Sequence, residues 1–270
     1  MVFLGSKALS LASPSPEPLD GCLTSRYECK YLVTEMDAER IRRFIAPFMT
    51  LDPYSSKQED RRYPVYSIYL DSQKLTTYEE VNQGMRNRFK LRLRYYSEHD
   101  SKSPVFFEIK KRSDQIINKS RAASDRQAAQ DFLRHGHHQN APEFIECCER
   151  IGAMPAMRIR YMREAYECAG HAPVRLTFDT DLHHCIVSDY DLAETRPNWK
   201  PTPVEGVIVE IKFTERKPLW LDELVQVFEL HKQSVAKYVR SVDCVADRGA
   251  MHALQAKLST ASAWRFTPAE

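Results

Sequence analysis

Glycine is scarce in this sequence, at 8 of 270 residues, and the 15 prolines do not form a periodic pattern. This composition excludes collagen-like and low-complexity classes. No run of about 18 apolar residues occurs, so no membrane-spanning helix is predicted. The seven cysteines are odd in number and lack C-x-x-C spacing, which indicates free thiols in a reducing cytoplasm and not a disulfide framework.

The formal net charge is only +2, although 28% of the residues are charged. A small total does not indicate nucleic-acid binding, and no aromatic stacking platform or recognition-helix pattern accompanies the basic segments. With 43% hydrophobic residues, the chain is typical of a globular protein. We expect residues 22–270 to form one domain with C-terminal helices, and residues 1–21, which are rich in Ser and Pro, to be a disordered leader.

Charged and apolar residues alternate in several segments, which is the period of a half-buried strand. In "RFKLRLRYY", one face carries Arg88, Lys90, Arg92 and Arg94. A Glu-x-Lys unit recurs in three such segments, "RYECKY", "VFFEIKKR" and "VIVEIKF", as Glu28 with Lys30, Glu108 with Lys110, and Glu210 with Lys212. Each of these strands would place a carboxylate and an ammonium group on the same face.

The same reasoning gives a coarse map of the chain. Strands are predicted at 25–33, 63–71, 85–96, 103–112, 156–166, 173–182 and 206–215. Helices are predicted at 34–49, 125–150, 219–230 and 247–258, with a short helix or turn at 73–84. Tyr27, Tyr31, Tyr66 and Tyr69 are expected to pack in the sheet wall.

Two arrangements can account for the charged faces. They are either solvated on the outside of an antiparallel sheet, or they line the inside of a closed one. Arginine at successive positions favours the second arrangement, because its planar fork binds phosphate through two hydrogen bonds and stays charged. We therefore predict an α+β fold, namely a closed eight-stranded antiparallel β-barrel with flanking helices and a charged interior.

The order of the motifs "RYECKY", "YSIYLD", "RFKLRLRYY", "FFEIKKR", "NKSR", "RYMREAY", "VRLTFDTDL", "VEIKF" and "VAKY" resembles the VTC domain of polyphosphate polymerases, from Ser25 to Arg240. That domain belongs to the CYTH-like triphosphate tunnel metalloenzymes, whose fold is an eight-stranded antiparallel tunnel. The resemblance implies transfer of the γ-phosphoryl group of ATP to a polyphosphate chain. Two alternatives stay open: a triphosphatase or nucleoside triphosphatase of the same fold, and a non-catalytic polyphosphate-binding module.

The resemblance also implies site residues. The phosphate-binding bases would be Lys30, Arg92, Arg94, Lys110, Lys119, Arg163, Arg175 and Lys237. Tyr161 would contact phosphate, and Glu210 would bind Mn²⁺ or Mg²⁺. Strand parity adds Lys212 as a further base and Glu28 and Glu108 as further candidate metal ligands.

Two positions depart from the family pattern. Ile208 replaces the first acidic residue of the Glu-x-Glu-x-Lys signature, and Ala236 replaces a serine. The expected ligands are ATP, triphosphate, pyrophosphate and polyphosphate, and a membrane-protein partner is compatible with the sequence.

Overall fold

The computed structural model describes residues 27–98, 100–114, 116–136, 138, 141–168, 172–193, 198–214, 216–247 and 249–260. The predicted leader, residues 1–21, lies outside them. The described strands are β1 Tyr27–Val33, β2 Thr50–Leu51, β3 Tyr63–Asp71, β4 Arg88–Tyr95, β5 Val105–Ser113, β6 Ile116–Ser124, β7 Met154–Cys168, β8 Val174–Ile186, β9 Lys200–Pro201 and β10 Val207–Phe213. The described helices are α1 Glu35–Ile45, α2 Thr76–Asn82, α3 Arg126–His135, α4 Pro142–Ile151, α5 Leu219–Val227, α6 Lys237–Asp247 and α7 Met251–Thr260.

The eight longer strands form one antiparallel sheet in the order β1-β10-β8-β7-β3-β4-β5-β6. The sheet is curled, because Lys110 Nζ on β5 reaches across to Glu28 Oε1 on β1 at 2.8 Å. Within the described residues, β1 and β6 end the strand order and do not pair with each other. The antiparallel sheet is therefore confirmed, whereas closure into a barrel is not.

The chain after α5 contacts the edge of β1 that has no neighbouring strand in this order. The backbone N–H of Gln233 donates to the carbonyl oxygen of Lys30 at 2.8 Å, on the strand that ends the sheet. The segment between α5 and α6 thus occupies part of the open side of β1. A covered edge of this kind also blunts the tendency of an edge strand to pair with another chain.

The apolar faces of the strands pack against helices, which leaves the charged faces for the interior. α1 and α5 cover β1, β8 and β10 with a core that includes Ile41, Ile45 and Leu224, all fully buried. The remaining helices cover the other strands with a second, larger core. α1 begins where predicted, since the Thr34 hydroxyl accepts a hydrogen bond from the Asp37 N–H at 3.0 Å.

Four described elements were not predicted from the sequence, and two helices were predicted as one. The two-residue strands β2 and β9 are absent from the predicted map, and so are β6 and α6, although the motifs of β6 and α6 carry the family resemblance. The helix expected for 125–150 is two helices, because Gly136 ends α3 in a left-handed conformation with φ of 80°. The strand predicted for 63–71 is confirmed as β3. No helix of the described ranges has the length and apolar composition to cross a bilayer.

Candidate phosphate-binding cavity

The concave face of the sheet encloses a cavity of about 400 Å³. Twelve of its lining side chains are basic: Lys30, Arg88, Lys90, Arg92, Arg94, Lys110, Arg112, Lys119, Arg163, Lys212, Lys232 and Lys237. Three are acidic: Glu28, Glu108 and Glu210. Twelve bases against three acids leave a surplus of nine positive charges, whereas the whole chain carries +2. The positive charge of the protein is therefore concentrated in this cavity.

The first feature of the cavity is the Glu108 cluster, which consists of Glu108, Arg92, Arg94, Lys119 and Arg121. The carboxylate is 2% exposed and lies 2.6 Å from Arg92, 3.8 Å from Arg94, 3.1 Å from Lys119 and 3.3 Å from Arg121. Burial raises the pKa of Glu108, but these four cations hold it well below its usual value. One ionised carboxylate thus orients four bases from β4 and β6.

This environment argues against one sequence prediction. Glu108 was expected as a candidate metal ligand, yet the four surrounding cations already use its oxygens and would repel a further cation. The cross-strand partners of Glu108 are Arg92 on β4 and Arg121 on β6. Its position fits an organising role among the bases better than metal ligation.

The second feature is the Glu210 cluster, made of Glu28, Lys30, Glu210 and Lys212 on β1 and β10. Lys30 lies opposite Glu210 and Glu28 lies opposite Lys212, so the charges alternate across the two strands. Lys30 Nζ is 3.4 Å from Glu28 and 3.3 Å from Glu210, and Lys212 Nζ is 3.1 Å from Glu210. The Glu-x-Lys repeat therefore produces alternating carboxylate–lysine ion pairs across β1 and β10.

Both carboxylates of this cluster stay ionised. Burial raises the pKa of Glu210, but Lys212 and Lys30 hold it well below its usual value. Burial and Glu210 raise the pKa of Glu28, but Lys30 and two further lysines bring it down to about 2.

The Glu210 cluster fits a divalent metal only in company with phosphate. Among the described residues, no group of three or more His, Cys, Asp and Glu side chains is placed to hold a metal ion. Glu28 and Glu210 nevertheless share one lysine, which brings two ionised carboxylates together. Mg²⁺ is commonly bound by one or two carboxylates together with substrate phosphate and water. The donor set therefore suits an ion that arrives with a phosphate ligand.

A third group of bases surrounds Tyr161 on β7. The Tyr161 hydroxyl accepts a hydrogen bond from Arg94 at 3.3 Å, and Lys237 Nζ lies 4.5 Å from the centre of its ring. Asp179 on β8 accepts two hydrogen bonds from Arg163, at 2.7 and 2.8 Å, and one from Lys237 at 2.7 Å. Burial raises the pKa of Asp179, but Arg163 and Lys237 lower it to about 2. These two bases are thereby fixed beside Tyr161.

Arg175 is the predicted base that the structure does not place in the cavity. Its guanidinium donates to Asp52 at 2.7 Å and to the Tyr63 hydroxyl at 3.4 Å, and it lies 3.6 Å from Glu167. Asp52 follows β2 and is fully buried at this position. These partners hold Arg175 outside the lining of the cavity, and its contact with phosphate stays a prediction.

The cavity also contains residues that were not proposed as site residues. Arg88, Lys90 and Arg112 line it, and strand alternation alone would have identified them because they share faces with the proposed bases. Lys232 lies between α5 and α6, where no strand pattern marks it.

Tyr69 was expected in the sheet wall, but it lines the cavity. Its hydroxyl accepts a hydrogen bond from Arg92 at 3.0 Å, and its ring stacks on Tyr238 at 5.0 Å. The sequence gives no signal that separates this tyrosine from those that pack in the wall.

Comparisons with known proteins provide the context for this site. Two solved structures are similar over most of their length. A putative adenylate cyclase from Bacillus halodurans shares 13% identity, with a TM-score of 0.47, over 78% of this chain and 94% of that one. A putative adenylyl cyclase from Hippeastrum, described as having a dominant triphosphatase activity, shares 12% identity, with a TM-score of 0.45, over 82% of this chain and 95% of that one.

A curated relative is subunit 4 of the vacuolar transporter chaperone complex of Trypanosoma brucei brucei, at 24% identity over 272 residues. The match covers 82% of this chain and 34% of the relative, so the chain spans about a third of that protein. The family model of the VTC domain matches residues 25–246. The chain therefore belongs to the VTC domain family.

Proposed function

We propose that the cavity binds a chain of anhydride-linked phosphates and that the protein transfers the γ-phosphoryl group of ATP to the end of a polyphosphate chain, releasing ADP. The observation that carries this proposal is the surplus of nine positive charges among the lining residues of a chain whose net charge is +2. Such a concentration of bases around one cavity is costly without a polyanion to neutralise it. Membership of the VTC domain family supports the same reading.

Arg92 and Arg94 are the bases best placed to grip phosphate. Both lie on β4 beside Glu108, and each retains hydrogen-bond donors that the carboxylate does not use. The buried Nε of Arg94 has no hydrogen-bond acceptor among the described residues. A buried donor without an acceptor is destabilising, and a phosphate oxygen would satisfy it.

Phosphoryl transfer needs positioning and charge neutralisation more than a reactive side chain. In this proposal the Glu108 cluster holds one part of the phosphate chain, while Arg163, Lys237 and Tyr161 hold the neighbouring part. The bases bring two anions together and stabilise the charge that develops between them. The terminal phosphate of the acceptor attacks the γ-phosphorus, and ADP leaves, so no nucleophilic side chain is required.

We assign the metal role to Glu210 with Glu28, the two ionised carboxylates that share Lys30. When bound, Mn²⁺ or Mg²⁺ would withdraw charge from the transferring phosphoryl group. Lys30 and Lys212 would then be released from part of their pairing with carboxylate and could turn to phosphate oxygens.

The proposal extends to the setting of the enzyme. The relative in Trypanosoma brucei brucei is a subunit of a complex and is about three times as long as the matched part. We propose that this domain acts in the cytoplasm, with a membrane-protein partner that receives the polymer. Nucleic acid is not proposed as a ligand.

Incubation of the purified chain with ATP and Mn²⁺ tests this function. We expect long polyphosphate and ADP as products, resolved by gel electrophoresis and by nucleotide chromatography, with a chelator-treated sample as the control. Free phosphate without polymer would show a hydrolase instead. Tight binding of polyphosphate without metal-dependent turnover would show a binding module, and either result would overturn the proposal.

A further inference from the structure

The twelve basic residues of the cavity fall into two sets. Eight have a carboxylate within 4.0 Å: Lys30, Arg92, Arg94, Lys110, Lys119, Arg163, Lys212 and Lys237. The other four have none within 4.0 Å in the described part of the chain: Arg88, Lys90, Arg112 and Lys232. We call these four the unpaired bases because none of them has an ion-pair partner there; Arg88 and Arg112 donate instead to the backbone carbonyl oxygens of Met85 and Asp114.

Three of the unpaired bases lie together at one end of the cavity. Arg88 on β4 lies directly opposite Arg112 on β5, and Lys90 lies directly opposite Lys110. Arg88 is half-buried and Arg112 is exposed, which places Arg112 at an opening of the cavity, and Lys232 is an exposed residue that lines the same cavity. Like charges directly opposite on neighbouring strands are destabilising. Two such like-charged pairs on the same face of β4 and β5 therefore indicate a site where a bound anion would offset the repulsion.

Electrostatics within this end agree with the geometry. Burial, together with the charges of Lys30, Lys110 and Arg92, lowers the pKa of Lys90 to about 8. Burial and Arg112 lower the pKa of Arg88. Lys90 is held next to other positive charges with no carboxylate among the groups that shift its pKa, whereas Glu80 only partly offsets the effect of burial and of Arg112 on Arg88.

The opposite end of the sheet interior is filled. Tyr54 stacks on Tyr96 at 5.5 Å and packs against Tyr63 at 5.5 Å, and Tyr96 contacts Phe106 at 6.1 Å. Tyr96 directly follows β4, and Phe106 lies opposite Arg94. None of these four aromatic residues lines the cavity. A phosphate chain bound at Arg94 thus meets aromatic rings in one direction and the unpaired bases in the other.

We propose that Arg88, Lys90, Arg112 and Lys232 form a second anion subsite at the mouth of the cavity, where they bind the phosphate units of a polyphosphate chain beyond those held at Arg92 and Arg94. The chain then enters and leaves through this mouth. This inference rests on the proposed function, because it assumes that phosphate chains bind in the cavity. The six residue steps from Arg88 to Arg94 span about 20 Å along the strand, so the two subsites suit a chain longer than triphosphate.

The test compares two inorganic ligands, tripolyphosphate and a long-chain polyphosphate of narrow size range. Their affinities for the full chain are measured by titration calorimetry for the wild type and for the double variant Arg88→Gln/Arg112→Gln. We expect the double variant to lose at least tenfold more affinity for the long chain than for tripolyphosphate. The matched control is Lys102→Gln/Lys111→Gln, which removes the same charge at positions that do not line the cavity, and we expect it to leave the ratio of the two affinities unchanged.

Two results would overturn the subsite. One is an equal loss for both ligands in the Arg88→Gln/Arg112→Gln variant, and the other is a change of the same size in the control. Arg92→Ala separates this failure from failure of the proposed function. If Arg92→Ala binds tripolyphosphate as the wild type does, phosphate binding in the cavity is itself wrong, whatever the mouth variant shows.

Discussion

The Glu108 cluster and the Glu210 cluster lie in the same cavity and arise from the same alternation of charged residues, yet their charge balance differs. One carboxylate faces four bases in the Glu108 cluster, which leaves a surplus of three positive charges. In the Glu210 cluster two carboxylates alternate with Lys30 and Lys212, and Lys110 also pairs with Glu28. Counted with Lys110, that region has a surplus of only one positive charge.

This difference assigns a separate task to each region. A surplus of oriented arginines suits an anion, since the guanidinium groups retain donors for phosphate. A region whose charges are closer to balance and which holds two ionised carboxylates suits a divalent cation that binds together with an anion. The cation and the anion then offset each other's charge inside the cavity. The two Glu-x-Lys strands β1 and β10 and the third, β5, thus share a motif without sharing a role.

The largest effect should follow from removing the single carboxylate of the Glu108 cluster. Glu108→Gln removes a buried carboxylate and leaves one buried and three partly buried cations without their shared anion, so we expect the free energy of unfolding to fall by about 3–5 kcal/mol in phosphate-free buffer. Tripolyphosphate should restore much of this loss by binding the folded state. Urea denaturation with and without the ligand measures both effects.

The control for that experiment is Glu143→Gln, which removes the exposed partner of Lys111. A surface pair of this kind contributes about 0–1 kcal/mol. Equal losses in the two variants would mean that the Glu108 cluster is no more than a set of ordinary ion pairs.

Removing the charge of Glu210 in the Glu210 cluster should lower the turnover of the enzyme. Glu210→Gln keeps the shape but removes the charge, so we expect kcat with Mn²⁺ to fall about 100-fold or more, since a metal supplies several kcal/mol of charge stabilisation. Metal-free binding of tripolyphosphate should be unchanged or tighter, because a negative charge is lost. Steady-state kinetics and calorimetry give the two values. If this variant kept the Mn²⁺-dependent turnover of the wild type, Glu210 would not be a metal ligand and the Glu-x-Lys pairs would be structural ion pairs.

A smaller loss is expected when a single arginine of the Glu108 cluster is truncated. Arg92→Ala or Arg94→Ala should weaken tripolyphosphate binding by about 1.5–3 kcal/mol, the range for hydrogen bonds to charged groups. Arg112→Ala, at the mouth, should cost less for this short ligand. Negligible losses at both Arg92 and Arg94 would mean that the charged face of β4 does not contact phosphate.

The smallest effect concerns pH. Burial lowers the pKa of Lys90 to about 8, and although burial raises the pKa of Tyr69, Arg92, Arg94 and Lys90 bring it to about 8. Between pH 7 and 9 Lys90 loses its proton and Tyr69 ionises, so the cavity becomes less positive and tripolyphosphate affinity should fall several-fold. The double variant Lys90→Arg/Tyr69→Phe keeps a positive charge at position 90 over this pH range and has no phenol that can ionise at position 69. A wild-type profile as flat as that of this variant would contradict the assignment.

Strand alternation was enough to predict most of the cavity from the sequence. A period of two fixes which side chains share a face, so Lys30, Lys110 and Lys212 were expected on the same interior face as Glu28, Glu108 and Glu210, and all six line the cavity. The order of motifs gave the family, which the VTC domain model confirms. These inferences hold because they depend on local geometry.

The predictions that the structure does not confirm depend on contacts between distant parts of the chain. Arg175 faces inward by parity, but Asp52, 123 residues away, binds its guanidinium outside the cavity. Closure of the barrel required β1 to meet β6, whereas the backbone of Gln233 bonds to β1. Lys232 belongs to an irregular segment, where no helical or strand periodicity indicates which way a side chain faces. The alternation of residues in the sequence indicates which side chains share a face of a strand, but it does not indicate which distant residues pack against that face.

The most direct test of the account is a crystal structure of the protein grown with tripolyphosphate. We predict that the phosphates lie inside the sheet, with oxygens about 2.7–3.2 Å from the guanidinium nitrogens of Arg92 and Arg94, and that added Mn²⁺ binds between the ligand and Glu210. Tripolyphosphate bound only on the outer surface, or an empty cavity at a saturating concentration, would contradict the claim that this basic interior is a phosphate-binding site.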